Sequence, residues 1–173
     1  IFAITTNIKI IYANNLEYWG INYISQKIMP EGIVSFRKAV AVSQPYINDI
    51  RQKQMQMITR AANLVEIPDL EKNVNFALNE LKKAQATDPL NYYLHYTEAD
   101  SKVVFRTIDV QYYKDALNAI ARADLISPGR QQNLYVYAKI KYLLGDKVGS
   151  LKMMQRAVNL DELSADPHYY YAL

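Results

Sequence analysis

One spacing of small and large side chains recurs along the chain and constrains its fold more than any other feature. A small residue is followed by a large apolar residue four positions on, a second small residue three further on, and a proline after five more. Two segments carry the complete pattern: Ala77, Leu81, Ala84 and Pro89, and Ala116, Ile120, Ala123 and Pro128. Two others lack the proline in register: Gly32, Phe36, Ala39 and Gln44, and Ser150, Met154, Ala157 and Glu162. Such an internal repeat predicts one structural unit that is used several times.

The spacing also indicates what the unit is. Intervals of four and three residues place the first three positions of each copy on one face of a helix. Small residues on that face let a neighbouring helix approach closely, and the larger residue between them fills the gap. Proline lacks a backbone donor, so it stops a helix or opens the next one. Each copy is therefore predicted to be the second helix of a helix-turn-helix unit.

The distance between equivalent alanines shortens along the chain. It is 45 residues from Ala39 to Ala84, 39 from Ala84 to Ala123, and 34 from Ala123 to Ala157. The last interval is the period of the tetratricopeptide repeat. On this pattern the chain resembles tetratricopeptide repeat proteins.

That resemblance implies an all-α fold of about four helix pairs, stacked as a right-handed solenoid. The segments 91–128 and 131–162 match the family best, although Lys141 stands where the family usually has an aromatic residue. Helices are predicted over 14–27, 31–43, 47–64, 70–87, 91–107, 112–126, 131–143 and 147–160, and a last helix is predicted to begin near Pro167. The six prolines fall at or beside the predicted breaks. No stretch alternates apolar and polar residues, so no sheet is expected.

The chain divides on this interpretation into an apolar leader, 1–13, and a repeat array, 14–173. The apolar residues of the leader are Ile1, Phe2, Ala3, Ile4, Ile8, Ile10 and Ile11. Asn7 and Lys9 interrupt them, and the run is shorter than the roughly 20 apolar residues of a membrane-spanning helix. Two alternatives remain open: the end of a membrane helix, or a packed first segment of a soluble domain.

A second resemblance covers the arrangement of the whole chain. After the apolar opening come four short motifs: Asn7-Ile8, Tyr18-Trp19, Phe36-Arg37-Lys38-Ala39 and Asn48-Asp49-Ile50-Arg51. In this order the chain is similar to the C-terminal tails of bacterial O-antigen ligase/polymerase-type membrane proteins. The resemblance implies a membrane-tethered array outside the cytoplasm, attached through its N-terminal side, with glycan transfer catalysed elsewhere in the protein. Without a tether a cytoplasmic location would follow, so the compartment stays open.

Composition narrows the functions that the chain itself can have. Lys and Arg total 20 against 17 for Asp and Glu, which makes no strong field for phosphates, so nucleic acid is not an expected partner. Cysteine is absent, and the only two histidines, His95 and His168, lie 73 residues apart, which does not make a helical pair of histidine ligands. We therefore predict no metal, no cofactor and no enzymatic activity in this chain.

The remaining hypothesis is a scaffold that binds a protein or peptide. In tetratricopeptide arrays the first helices line a concave groove, and the family register places Gln132, Tyr135, Lys139 and Tyr142 there. The equivalent positions one repeat earlier are Tyr96 and Asp100. The competing interpretation is that most of the 15 tyrosines only pack between helices. Self-association through the open C-terminal repeat is a further possibility.

Overall fold

A computed structural model describes residues 2–62 and 64–160, with the backbone alone at residues 2 and 3. The helices are α1 Phe2–Ser25, α2 Met29–Ala41, α3 Ile47–Ala61, α4 Leu70–Thr87, α5 Tyr92–Val104, α6 Tyr112–Ile126, α7 Gln131–Leu143 and α8 Lys147–Leu160. No strand occurs within these ranges. The last helix predicted near Pro167, and with it His168 and the open C-terminal repeat, lies outside the described residues.

The chain forms two compact units, residues 1–89 and 90–173. In each unit the helices pack as consecutive pairs: α1 with α2 and α3 with α4 in the first, α5 with α6 and α7 with α8 in the second. This confirms the prediction of an all-α fold built from helix pairs.

The repeated small and apolar positions form the contact faces of the second helices. Phe36 and Ala39 in α2, Ala77, Leu81 and Ala84 in α4, and Ala116, Ile120 and Ala123 in α6 are at most 1 % exposed. Gly32 in α2 and Ser150, Met154 and Ala157 in α8 are buried too. The five prolines in the described ranges lie in turns, apart from Pro30 in the first turn of α2. There its missing N–H leaves no helical hydrogen bond unmade.

Three predicted helix boundaries differ from the structure by three residues or more. Helix α3 ends at Ala61 rather than at 64. Helix α1 begins at Phe2 rather than at residue 14, because no glycine or proline precedes Gly20 to interrupt it. The proposed end of the leader at residue 13 therefore falls inside a continuous helix. Helix α5 ends at Val104 rather than at 107, and the Arg106 guanidinium there donates to the carbonyl oxygen of Val103 at 3.3 Å.

In the first unit, polar contacts between side chains join the helices around the apolar core. Arg51 on α3 pairs with Glu80 on α4 at 3.0 Å. Arg37 on α2 donates to the Asn73 side chain at 2.8 Å and stacks over the Phe76 ring, 4.4 Å from its centre. Each polar contact fixes the register of one helix along the other, whereas apolar faces alone would allow the two helices to slide.

In the second unit, one buried amide links three elements. Asn133 on α7 is fully buried, and its side-chain oxygen accepts a hydrogen bond from the Tyr92 hydroxyl of α5 at 2.9 Å. Its amide nitrogen donates to the Asp124 carboxylate of α6 at 3.0 Å and to the Ser127 carbonyl at 3.3 Å. Because both polar atoms of the amide are hydrogen-bonded, its burial does not oppose packing. The hydrogen bonds also fix how α5, α6 and α7 are oriented.

The turn between α7 and α8 is formed by a glycine and an aspartate, Gly145 and Asp146. Gly145 has a φ of 85°, a left-handed conformation that glycine adopts without strain. The Asp146 carboxylate accepts a hydrogen bond from the Gly149 backbone N–H at 2.8 Å and pairs with Lys141 at 2.9 Å. The hydrogen bond from Lys141, followed by that from Gly149, lowers the pKa of Asp146. Gly145 therefore permits the turn, and Asp146 caps the start of α8.

Candidate partner-binding face of helices α5 and α7

The four positions predicted on α7 lie along one side of that helix. Gln132, Lys139 and Tyr142 are exposed, Tyr142 to 60 %, whereas Tyr135 is half-buried. Other residues of α7, among them Leu134, Val136 and Ile140, are buried in the core. Three of the four side chains are therefore accessible to a partner.

Tyr135 contributes differently from its neighbours on the helix. Its hydroxyl oxygen is shielded from solvent. A partner lying on this side of α7 would therefore find polar groups at Lys139 and Gln132 but not at the Tyr135 hydroxyl.

The two positions predicted on α5, Tyr96 and Asp100, are both half-buried. Tyr96 packs against the core of the second unit and stacks on Tyr92, with ring centres 5.8 Å apart. Burial raises the pKa of the Tyr96 hydroxyl, and the negative charge of Asp100 raises it further. Tyr96 is thus chiefly a packing residue, as the competing interpretation of the tyrosines expects, and the phenol stays protonated.

Tyr93 is an exposed aromatic residue on α5 that the sequence analysis missed. It is 53 % exposed, and its ring contacts Tyr92 edge-on at 5.1 Å between centres. The signal was present, because the offset of 39 residues that relates Tyr96 to Tyr135 also relates Tyr93 to Gln132.

Arg130 is a second missed residue, directly before α7. Its guanidinium lies 4.2 Å from the centre of the Tyr92 ring and 5.6 Å from that of Tyr93, which is the range of cation–π contacts. A hydrogen bond from its Nε to the Ser127 hydroxyl at 2.6 Å holds it there. Burial raises the pKa of Tyr92 to about 12 although this cation opposes the rise. The Arg130 guanidinium therefore supports the Tyr93 ring from one side.

Together these residues form two rows at equivalent positions of neighbouring helices, since α5 packs against α7. We call them the α5/α7 face; its members are Tyr93, Tyr96, Asp100, Gln132, Tyr135, Lys139 and Tyr142. The face carries one negative and one positive charge, an amide, and two exposed phenol rings. Such a surface can stack on side chains and hydrogen-bond a peptide backbone, and its charges suit a partner of mixed sign.

Other chemistry finds little support in the described part of the chain. Within residues 2–62 and 64–160, no group of three His, Asp or Glu side chains is placed to hold a metal ion. His95 is buried in α5. No described helix is both long and apolar enough to cross a membrane.

The sequence matches no model of a known protein family. A search of the curated proteins likewise found no match. The α5/α7 face must therefore be interpreted from its own residues.

Proposed function

We propose that this chain is a protein-interaction scaffold whose α5/α7 face binds a peptide or a segment of a partner protein. One observation carries the proposal. Tyr93 and Tyr142 leave more than half of their surface exposed, and the exposed Lys139 lies one helical turn before Tyr142. Exposed tyrosines with few rotatable bonds provide contact area at low entropic cost, which is why they are enriched in binding surfaces.

The framework supports binding because it is fixed before a partner arrives. The helices that carry the face are held by the buried Asn133 hydrogen bonds and by a core that includes Val103, Ile120 and Ile140. A partner then has little ordering entropy to overcome on the scaffold side. Opposite charges at Asp100 and Lys139 favour one orientation of a peptide over its reverse.

A peptide display library provides a probe for this proposal. Peptides selected on the full chain would be measured by fluorescence anisotropy against the triple variant Tyr93→Ala, Lys139→Ala and Tyr142→Ala. We expect the triple variant to bind at least about tenfold more weakly, which corresponds to about 1.4 kcal/mol.

The matched control changes three exposed residues on α6: Asn118→Ala, Arg122→Ala and Leu125→Ala. It removes a similar amount of surface at helical spacing from a different helix, and binding should be retained. Equal binding by the triple variant and the wild type, or a selection that enriches no peptide, would contradict the proposal.

A further inference from the structure

One face of helix α1 is buried and the opposite face is exposed. One face packs into the first unit through a buried row, Ala13, Glu17, Gly20 and Ile24. The other carries an exposed row, Ile4, Ile8, Ile11, Asn15 and Tyr18, whose apolar members are 60–68 % exposed. A single exposed isoleucine is ordinary on a protein surface, but three on one side of one helix form an apolar patch that is typical of an interaction site.

The exposed row has the spacing of a coiled-coil seam. Its members are separated by four, three, four and three residues. That alternation is the heptad repeat by which two helices interlock side chains. Ala13 and Gly20 occupy the position of the heptad that points away from the seam, and both are buried in the first unit. Packing within the unit and pairing along the seam therefore use opposite sides of α1.

The first unit does not cover this row. From Ile4 to Tyr12 no residue of α1 is buried, and the buried contacts begin at Ala13. Lipid is a poor fit as well, since Asn7, Lys9 and Asn14 beside the row are exposed polar residues that a bilayer core would leave unsatisfied. Polar flanks beside an apolar row are typical of a helix pair in water.

We propose that α1 pairs with α1 of a second copy of this chain, in parallel and in register along Ile4, Ile8, Ile11, Asn15 and Tyr18. Asn15 decides the orientation. In a parallel pair the two Asn15 amides face each other and can hydrogen-bond across the seam, as a single seam asparagine does in two-stranded coiled coils. An antiparallel pair centred on Ile11 would place each amide beside Ile8 of the other copy, where its polar atoms lose water without a partner.

The contact would be small. The large side chains of the exposed row, with Tyr12 and Trp19 beside it, are 42–68 % exposed, but the row spans only two heptads. Pairing should therefore be reversible and depend on concentration. The proposed interface uses residues of α1 and none of the α5/α7 face, so the proposal stands or falls independently of the proposed function.

Cysteine crosslinking tests the geometry, and the chain offers a clean background because it contains no cysteine. Single variants Ile8→Cys, Ile11→Cys and Asn15→Cys of the full chain would be exposed to dissolved oxygen. A parallel, in-register pair brings identical seam positions within disulfide reach, so each should form a covalent dimer. Lys9→Cys, exposed but off the seam, is the matched control and should crosslink at least about tenfold less, a difference of about 1.4 kcal/mol in the population of the required geometry.

Sedimentation of the full chain over a range of concentrations tests the association itself. The wild type should form a dimer, and Ile8→Glu with Ile11→Glu should raise the dissociation constant at least about tenfold, or 1.4 kcal/mol. Both isoleucines are exposed, so the far-ultraviolet circular dichroism spectrum of the variant should match that of the wild type, which shows that the variant still folds. Leu151→Glu, which places the same charge at an exposed leucine of α8, should leave the dimer intact.

Three results would overturn the proposal. One is a monomer at every concentration. Another is a dimer lost in Leu151→Glu but kept in the isoleucine variant, which would place self-association at the other end of the described chain. The third is a monomeric wild type that floats with phosphatidylcholine vesicles while the isoleucine variant does not, which would make lipid the occupant of this row.

Discussion

Replacing Gly32 by alanine tests whether helices pair through the repeated small positions. Gly32 occupies the first position of the pattern, where the other copies have alanine or serine. A Cβ atom at Gly32 would lie 2.5 Å from Cγ1 of Ile24 and 3.1 Å from the carbonyl oxygen of Gly20, both on α1. Because a helix backbone cannot yield as a flexible side chain does, α1 and α2 must move apart to admit the methyl group.

The magnitude follows from two opposing effects. Alanine is favoured over glycine inside a helix by about 1 kcal/mol. Inserting an extra carbon into a packed contact costs about 1–3 kcal/mol, and the contact with backbone places Gly32→Ala at the upper end. We therefore expect the free energy of unfolding to fall by about 1–2 kcal/mol.

Urea denaturation followed by the fluorescence of Trp19, the only tryptophan, measures this change next to the altered contact. Lys38→Ala, on the exposed side of the same helix, is the matched control and should stay within about 0.5 kcal/mol of the wild type. If Gly32→Ala instead stabilises the protein by about 1 kcal/mol, helix propensity alone decides the outcome and the close approach of α1 and α2 is refuted.

Three further predictions concern the second unit. Burial raises the pKa of Tyr92 from 10 to about 12, so the folded state favours the neutral phenol. The resulting contribution to the free energy of unfolding, at most about 3 kcal/mol, is complete below pH 10 and is lost as pH rises toward 12. The unfolding free energy of the wild type should fall more steeply above pH 10 than that of Tyr92→Phe, and parallel curves would refute this. Asn133→Ala should cost about 2–3 kcal/mol in chemical denaturation because it leaves buried partners unsatisfied, and a change below about 0.5 kcal/mol would contradict the linking role. Lys102→Met should lower the free energy of unfolding by roughly 2–4 kcal/mol, since this buried cation lies 2.8 Å from Glu98 and 3.0 Å from Asp115. A variant as stable as the wild type would show that the two carboxylates need no counter-charge.

The pair architecture could be predicted because its signal is local. A small residue at the first and third positions and a large one between them identify a helix contact face without knowledge of the partner helix. Phe36 and Ala123, in copies of different quality, are both fully buried. Proline marks most of the turns for an equally local reason, its missing backbone donor.

What the sequence analysis missed depends on contacts between distant positions. Asn133 and Lys102 read as surface residues by type, and only hydrogen bonds to other helices reveal why they are buried. Tyr93 and Tyr96 lie three positions apart in a tyrosine-rich run, and composition cannot tell which ring packs inward. The continuity of α1 across residue 13 was missed because an apolar segment without breakers was interpreted as a separate leader.

The central claim is that the α5/α7 face contacts a partner, and site-specific photocrosslinking tests it most directly. Benzoylphenylalanine would replace Tyr142 in one sample and Leu125, on the exposed side of α6, in another. Each sample would be irradiated with a library-selected peptide that binds the full chain. We predict a covalent peptide adduct at position 142 and none at 125. An adduct at 125 without one at 142 would contradict the assignment of the binding face.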